Sequence, residues 1–150
     1  MSLKERVESD LKEAMRSQNK DQVRALRGIK SQILLAETEK GAGGDLTEDG
    51  EIALLSKAVK QRKDSARIYQ EQGRDDLADI ELTEVEIITR YLPAQLTEEE
   101  LTVHLQQIVE DLGAAGPQDM GKVMGQANKQ LKGRADGGTM AKIVKSLLSS

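Results

Sequence analysis

The chain has no cysteine, no tryptophan and no phenylalanine. Without thiols, neither a disulfide nor a thiolate zinc site is possible. Tyr69 and Tyr91 are the only aromatic residues. A core must therefore be built from Leu, Ile, Val, Ala and Met. Readers of single-stranded nucleic acid stack bases on aromatic faces, and this chain has almost none to offer. His104 is the single histidine, so no second imidazole completes a metal site and nothing marks it as a base for a serine. No run approaches the ~20 apolar residues of a membrane span. The start, Met1-Ser2-Leu3-Lys4-Glu5-Arg6, lacks the apolar segment of a secretory signal. Together these absences predict a soluble, cytoplasmic protein with no membrane partner.

What is present favours helices. Glu, Lys, Leu, Ala and Gln abound, and apolar residues recur at helical spacing nearly throughout. Leu3, Val7, Leu11 and Ala14 form one stripe, with Ser2 as its cap. Asp21 is the candidate cap of a second stripe: Val23, Leu26 and Ile33, interrupted by Lys30. Gly41-Ala42-Gly43-Gly44 reads as a loop. A third stripe runs through Ile52, Leu55, Val59, Ala66 and Tyr69 and stops near Gly73. A fourth holds Leu77, Ile80, Glu84, Ile87, Ile88 and Tyr91 before Pro93 ends it.

Thr97 and Glu100 have the spacing of a capping box. The helix they open carries Leu101, Leu105, Ile108 and Leu112 and stops at Gly113 and Gly116. Pro117 suits a first helical position, and Val123, Met124, Ala127 and Leu131 follow. Met120 and Met124 read as core filler. Gly133 is a stop signal, and Asp136 or Thr139 caps a last helix with Ile143, Val144, Leu147 and Leu148. The expectation is an all-α fold in two parts: about four helices over 1–93 and three shorter ones over 94–150.

Glycine costs roughly 1 kcal/mol relative to alanine inside a helix. Gly121 and Gly125, four apart, ask for a reason, and the usual one is close approach of a neighbouring backbone.

Lysine and arginine total 22 against 26 acids, a net charge of −4. That excludes a general nucleic-acid coater but not a local basic patch. Residues 74–91 hold two cations and six carboxylates, whereas 117–150 hold six cations and two carboxylates. The second segment ends in a glycine turn flanked by Lys132 and Arg134 and followed by Gly137 and Gly138. Helix-start amides beside cations suit a phosphate; a solvated helix end is the plain alternative. Lys122 and Lys129 extend the same surface. Lys60, Lys63 and Arg67 share a helix face, as do Lys20, Arg24 and Arg27. These faces are candidates to pair with the acidic fourth helix, with Arg27 and Arg74 as buried partners of Glu81 or Glu84.

Other motifs fall short. Asp45-Leu46-Thr47-Glu48-Asp49-Gly50 mimics a calcium loop, but Ser56 stands where a bidentate Glu is required. Ser17-Gln18-Asn19-Lys20 matches S-x-x-K without its companion motifs. No phosphate-binding loop or dinucleotide fingerprint occurs. No cofactor, metal site or catalytic residue is expected.

Several segments in combination carry a resemblance. They are Leu26-Arg27, Val59-Lys60-Gln61-Arg62-Lys63-Asp64-Ser65, Gly73-Arg74-Asp75-Asp76-Leu77-Ala78, Tyr91-Leu92-Pro93-Ala94-Gln95-Leu96, Asp119-Met120-Gly121-Lys122-Val123-Met124-Gly125 and Lys132-Gly133-Arg134-Ala135-Asp136-Gly137. With these the chain resembles the GatB/YqeY family over essentially its whole length. The C-terminal half is similar to the tail domain of the B subunit of the glutamine-dependent aspartyl/glutamyl-tRNA amidotransferase. The resemblance implies a helical two-part fold and contact with tRNA or a tRNA-handling complex. It also brings a family-level label, carbon–nitrogen ligase with glutamine as amido donor. The residues supply neither the glutaminase nucleophile nor the ATP site which that chemistry needs.

The sequence therefore predicts a non-catalytic, tRNA-associated accessory protein. Its RNA-binding candidates are Lys122, Lys129, Lys132 and Arg134 with the amides of Gly137 and Gly138. The alternative is a protein–protein adaptor that docks on an amidotransferase or an aminoacyl-tRNA synthetase complex. Phosphates, 2′-hydroxyls and shape would carry RNA recognition in place of base stacking. No signature of DNA specificity or of an oligomeric state is present.

Overall fold

A computed structural model describes residues 1–39 and 45–149. The Gly41–Gly44 stretch expected as a loop lies outside the described residues. Among the described residues, seven α-helices and one short 3-10 turn make up the regular structure, and there is no strand. The chain forms two compact units, Met1–Leu92 and Pro93–Ser150.

The first unit holds α1 (Leu3–Arg16), α2 (Lys20–Glu39), α3 (Glu48–Glu71) and α4 (Asp75–Thr89). α3 and α4 form a close antiparallel-type hairpin, α1 packs on α2, and α2 also meets α4. Ser2 caps α1, its hydroxyl accepting from the Glu5 amide at 3.2 Å. The cap of α2 is Asn19 rather than Asp21. The Asn19 Oδ1 accepts from the Gln22 amide at 3.1 Å, and Asp21 falls in the first turn, where the helix dipole favours an acid. The second stripe is also shifted. Ala25, Leu26, Ile29 and Ile33 are buried, so Ile29 takes the place that the interrupted reading gave to Lys30. With Val7, Leu55 and Ile88 these residues form an aliphatic core. Each fully buried Val, Leu or Ile contributes about 1.5–3 kcal/mol relative to leaving it exposed. Ile80 and Leu112, both placed in apolar stripes by their spacing, are exposed.

Tyr91 ties the end of this unit back to α1. Its hydroxyl donates to Asp10, and the Arg6 guanidinium lies 5.1 Å from the ring centre. Burial, then the Asp10 carboxylate, pushes the phenol well above its ordinary range.

The second unit holds α5 (Glu98–Leu112), the 3-10 turn Pro117–Asp119, α6 (Met120–Gln130) and α7 (Gly137–Ser149). Thr97 and Glu100 form a full capping box. Its backbone hydrogen bond, with the Thr97 hydroxyl next in weight, holds the Glu100 carboxyl below the usual range. Leu101, Leu105, Ile108, Val123, Ala127, Leu131, Met140, Val144 and Leu148 fill the core. Helix ends use left-handed glycines at Gly73 and Gly113, and Gly133 turns the chain in the same conformation. Gln18, between α1 and α2, is the one non-glycine residue described in that region, at φ 58°.

Candidate nucleic-acid interface

α6 positions the first candidates. At 3.6 residues per turn, Gly121, Lys122, Gly125 and Lys129 fall within one arc of about 100°. All four are exposed, while Val123 and Ala127 on the opposite side are fully buried. The glycine pair is therefore turned outwards. A Cβ added at Gly121 or Gly125 would meet nothing within 4 Å. This corrects the expectation that these glycines admit a neighbouring backbone: the helices of the unit pack through the Val123–Ala127 side instead. What remains is a bare strip of helix backbone edged by two lysines.

Lys132 lies in the turn after α6 and is exposed. Arg134, two residues on, is half-buried and holds the chain together. Its Nε donates to the Ala94 carbonyl at 3.1 Å, and its own carbonyl accepts from the Leu96 amide at 2.9 Å. Gln95 adds a bond from Nε2 to the Gly133 carbonyl at 2.6 Å. Arg134 also helps to hold the Glu100 carboxylate in its charged form. The turn thus pins the segment 94–96, so its glycine and arginine already have a structural task.

Gly137 and Gly138 open α7 and are exposed. The helix start has its own acid. Asp136 Oδ2 accepts from the Thr139 amide at 3.0 Å and from its hydroxyl at 3.2 Å. A phosphate approaching the Gly137 and Gly138 amides would meet that carboxylate, which weakens this end as an anion seat. Lys142 and Lys145, exposed further along α7, add to the positive charge of the unit.

In the first unit the acidic helix takes two arginines, though not the expected two. Glu84 is buried, at 7% exposure. Arg24 Nε donates to its Oε2 at 3.1 Å, and Arg62 Nε to its Oε1 at 3.4 Å. Arg27 is exposed, and Arg74 pairs instead with Asp76 next to it at 3.1 Å. Arg62 is largely buried, whereas Arg24 and Arg27 are both exposed on the same side of α2, and of these two it is Arg24 whose guanidinium reaches Glu84. Burial, then the Glu84 charge, raises the Glu81 carboxyl above its ordinary value. Lys57, Lys60, Lys63 and Arg67 are exposed and are in none of the ion pairs among the described residues. They form a solvated basic face on α3, not a counterpart to α4.

Among the described residues, no group of His, Asp or Glu side chains has the geometry to hold a metal ion. The segment that mimics a calcium loop opens α3, with Thr47 accepting from the Gly50 amide at 3.0 Å. No described helix is long and apolar enough to cross a membrane.

Comparison with known proteins now bears on these features. The profile of the Yqey-like protein family matches residues 4–148. The chain is 35% identical over 144 residues to "Altered inheritance of mitochondria protein 41, mitochondrial" of Clavispora lusitaniae, a match covering 94% of this chain and 82% of the relative. It is 30% identical over 133 residues to the protein of the same name from Pyrenophora tritici-repentis, covering 87% and 71%. The cytoplasmic location expected from composition does not stand, because these relatives are named as mitochondrial. Lack of thiols and of apolar spans is a property of many aqueous compartments and does not tell one from another. A match over almost the whole length, made by a helical chain that carries the segments quoted above, settles the kinship: the protein belongs to the Yqey-like family.

Proposed function

We propose that the protein is a non-catalytic, tRNA-associated accessory factor that grips the backbone of a folded RNA with its second unit. The outward glycine strip of α6 carries this reading. Two glycines on a solvent face cost helix stability and gain no packing. Their placement makes sense where another backbone comes close. Lys122 and Lys129 edge the strip with positive charge, which selects a polyanion. Lys132 continues the edge. Arg134, Gly137 and Gly138 take a lesser share, since the arginine is engaged with Ala94 and Asp136 occupies the helix start. The lack of aromatics directs recognition to phosphates, 2′-hydroxyls and shape, which suits tRNA better than a single strand. The resemblance of this half to the tail domain of a tRNA-dependent amidotransferase subunit supports the same reading.

Gly121→Ala and Gly125→Leu test it. A Cβ at either position meets nothing within 4 Å, and alanine and leucine have better helix propensity than glycine, so stability should rise by up to about 1 kcal/mol. Affinity for unmodified tRNA should nevertheless fall, because the strip is no longer bare. Unchanged affinity in both variants would remove the glycine strip from the interface.

A further inference from the structure

We infer that the corner between α1 and α2 is a docking groove for an acidic amphipathic helix of a partner protein. The groove has a volume of about 620 Å³ and is lined by Met15, Gln18, Lys20, Val23, Arg24 and Arg27. It lies in the first unit and is independent of the α6 surface.

Its chemistry is that of an apolar floor within a cationic rim. Met15 is 51% exposed at the end of α1 and gives the groove an adaptable thioether floor. Val23 lies beside it, half-buried. Lys20, Arg24 and Arg27 stand at i, i+4 and i+7 along α2, a span of about 10 Å on one face. Among the described residues that line the groove, none is a carboxylate. Arg24 is held in place by Asp21 and Glu84. Lys20 and Arg27 are in no ion pair among the described residues. Lys20 is also in the first turn of its helix, where the dipole disfavours a cation. Its presence there is not explained by the stability of α2.

A helix with carboxylates at the same i, i+4, i+7 spacing places two of them on Lys20 and Arg27, with the middle one over Arg24, whose charge Asp21 and Glu84 already share. A leucine or isoleucine on its adjacent face reaches the Met15–Val23 floor. RNA is the poorer fit. Phosphates gain nothing from an apolar floor, and the groove has no aromatic ring on which a base could stack.

The test uses the full chain and a small panel of labelled helical peptides. Each carries glutamates at i, i+4 and i+7 and leucines on the flanking face at varied offsets. A control replaces the leucines by glutamine. At least one leucine peptide should bind, and the control should bind at least about tenfold more weakly. A Lys20→Glu, Arg27→Glu double variant should weaken binding about tenfold or more, and Met15→Gln should weaken it several-fold. These three residues are exposed, and an unchanged helical circular dichroism spectrum confirms that the variants fold. A Lys122→Ala, Lys129→Ala variant should bind the peptide as the wild type does. Equal binding of the control would reduce the groove to a charge patch and overturn the inference. So would failure of every peptide to bind. Loss of tRNA binding in the Lys20→Glu, Arg27→Glu variant would assign the groove to RNA instead. Self-association seen by sedimentation and abolished by the same substitutions would assign it to a second copy of the chain.

Discussion

The Arg62 guanidinium lies against Gly28: a Cβ on that glycine would stand 3.1 Å from Nη2. The bare backbone of α2 is thus the shelf on which Arg62 rests while its Nε reaches Glu84. Arg62 also donates from Nη1 to the Ala58 carbonyl at 3.1 Å, so its position is fixed from two sides. Gly28→Ala asks the guanidinium to yield by a few tenths of an ångström and gains helix propensity in exchange. The net effect should be within about 1 kcal/mol of zero. Gly28→Leu displaces the guanidinium outright and leaves Glu84 with Arg24 alone. Because Glu84 keeps Arg24, the cost should be about 1.5–3 kcal/mol, that of one hydrogen bond to a charged group, below the ~3–5 kcal/mol of a buried charge left unpaired. Urea unfolding of the two variants separates these outcomes.

Glu81 predicts a pH dependence. Its carboxyl sits above its ordinary value through burial and the neighbouring Glu84 charge. The folded state therefore binds a proton more readily than the unfolded chain, and ionised Glu81 lowers stability as pH rises through the folded pKa. Glu81→Gln should raise Tm at pH 7. The gain should shrink as the pH falls to and below about 4.3, the unfolded carboxylate value, because Glu81 is then protonated in the folded and increasingly in the unfolded state. A pH-independent difference would point to packing rather than charge.

Gln18 gives a backbone prediction. The Asn19 amide bonds the Ala14 carbonyl at 3.0 Å, the pattern of a helix end that normally places glycine at the left-handed position. Gly73 and Gly113 follow that rule, but position 18 does not. Gln18→Gly should stabilise the protein by up to about 1 kcal/mol, read as a higher midpoint in thermal unfolding. A lower midpoint would mean that the Gln18 side chain contributes more to the corner than its backbone costs.

Arg134 should behave as a structural residue. Arg134→Ala loses the bond to the Ala94 carbonyl, and a cost of about 1 kcal/mol is expected. Arg134→Lys keeps the charge but not the planar donor fork, and should lose nearly as much. If Arg134→Lys retains full stability, the guanidinium is not the pin that the geometry makes it. For RNA measurements, Lys122 and Lys129 are the cleaner probes, since both point to solvent.

Much of this was legible in the amino acids. The Thr97–Glu100 capping box and the Gly73 and Gly113 helix ends depend on local chemistry, and the structure has them where spacing placed them. What escaped were relationships between helices. Periodicity marked Glu84 as facing inward but could not choose between Arg24 and Arg27, one helical turn apart on α2. Gly121 and Gly125 were misread for the same reason. A glycine pair at i, i+4 has the same spacing on a buried face as on an exposed one, and only packing decides. The cytoplasmic expectation failed differently, because composition reports on the solvent a chain tolerates and not on the compartment it occupies. The cations of 117–150 were visible as a local excess, whereas their arrangement around a bare strip needed coordinates.

The measurement closest to the central claim is binding of total tRNA across a salt series, wild type against a Lys122→Ala, Lys129→Ala double variant. The wild type should bind with an affinity that falls linearly on a log–log plot against salt. The double variant should bind more weakly, with a slope shallower by about one to two units and no change in preference among tRNAs. An identical slope, or no binding by the wild type at low salt, would contradict the account and leave the α6 surface without an RNA partner.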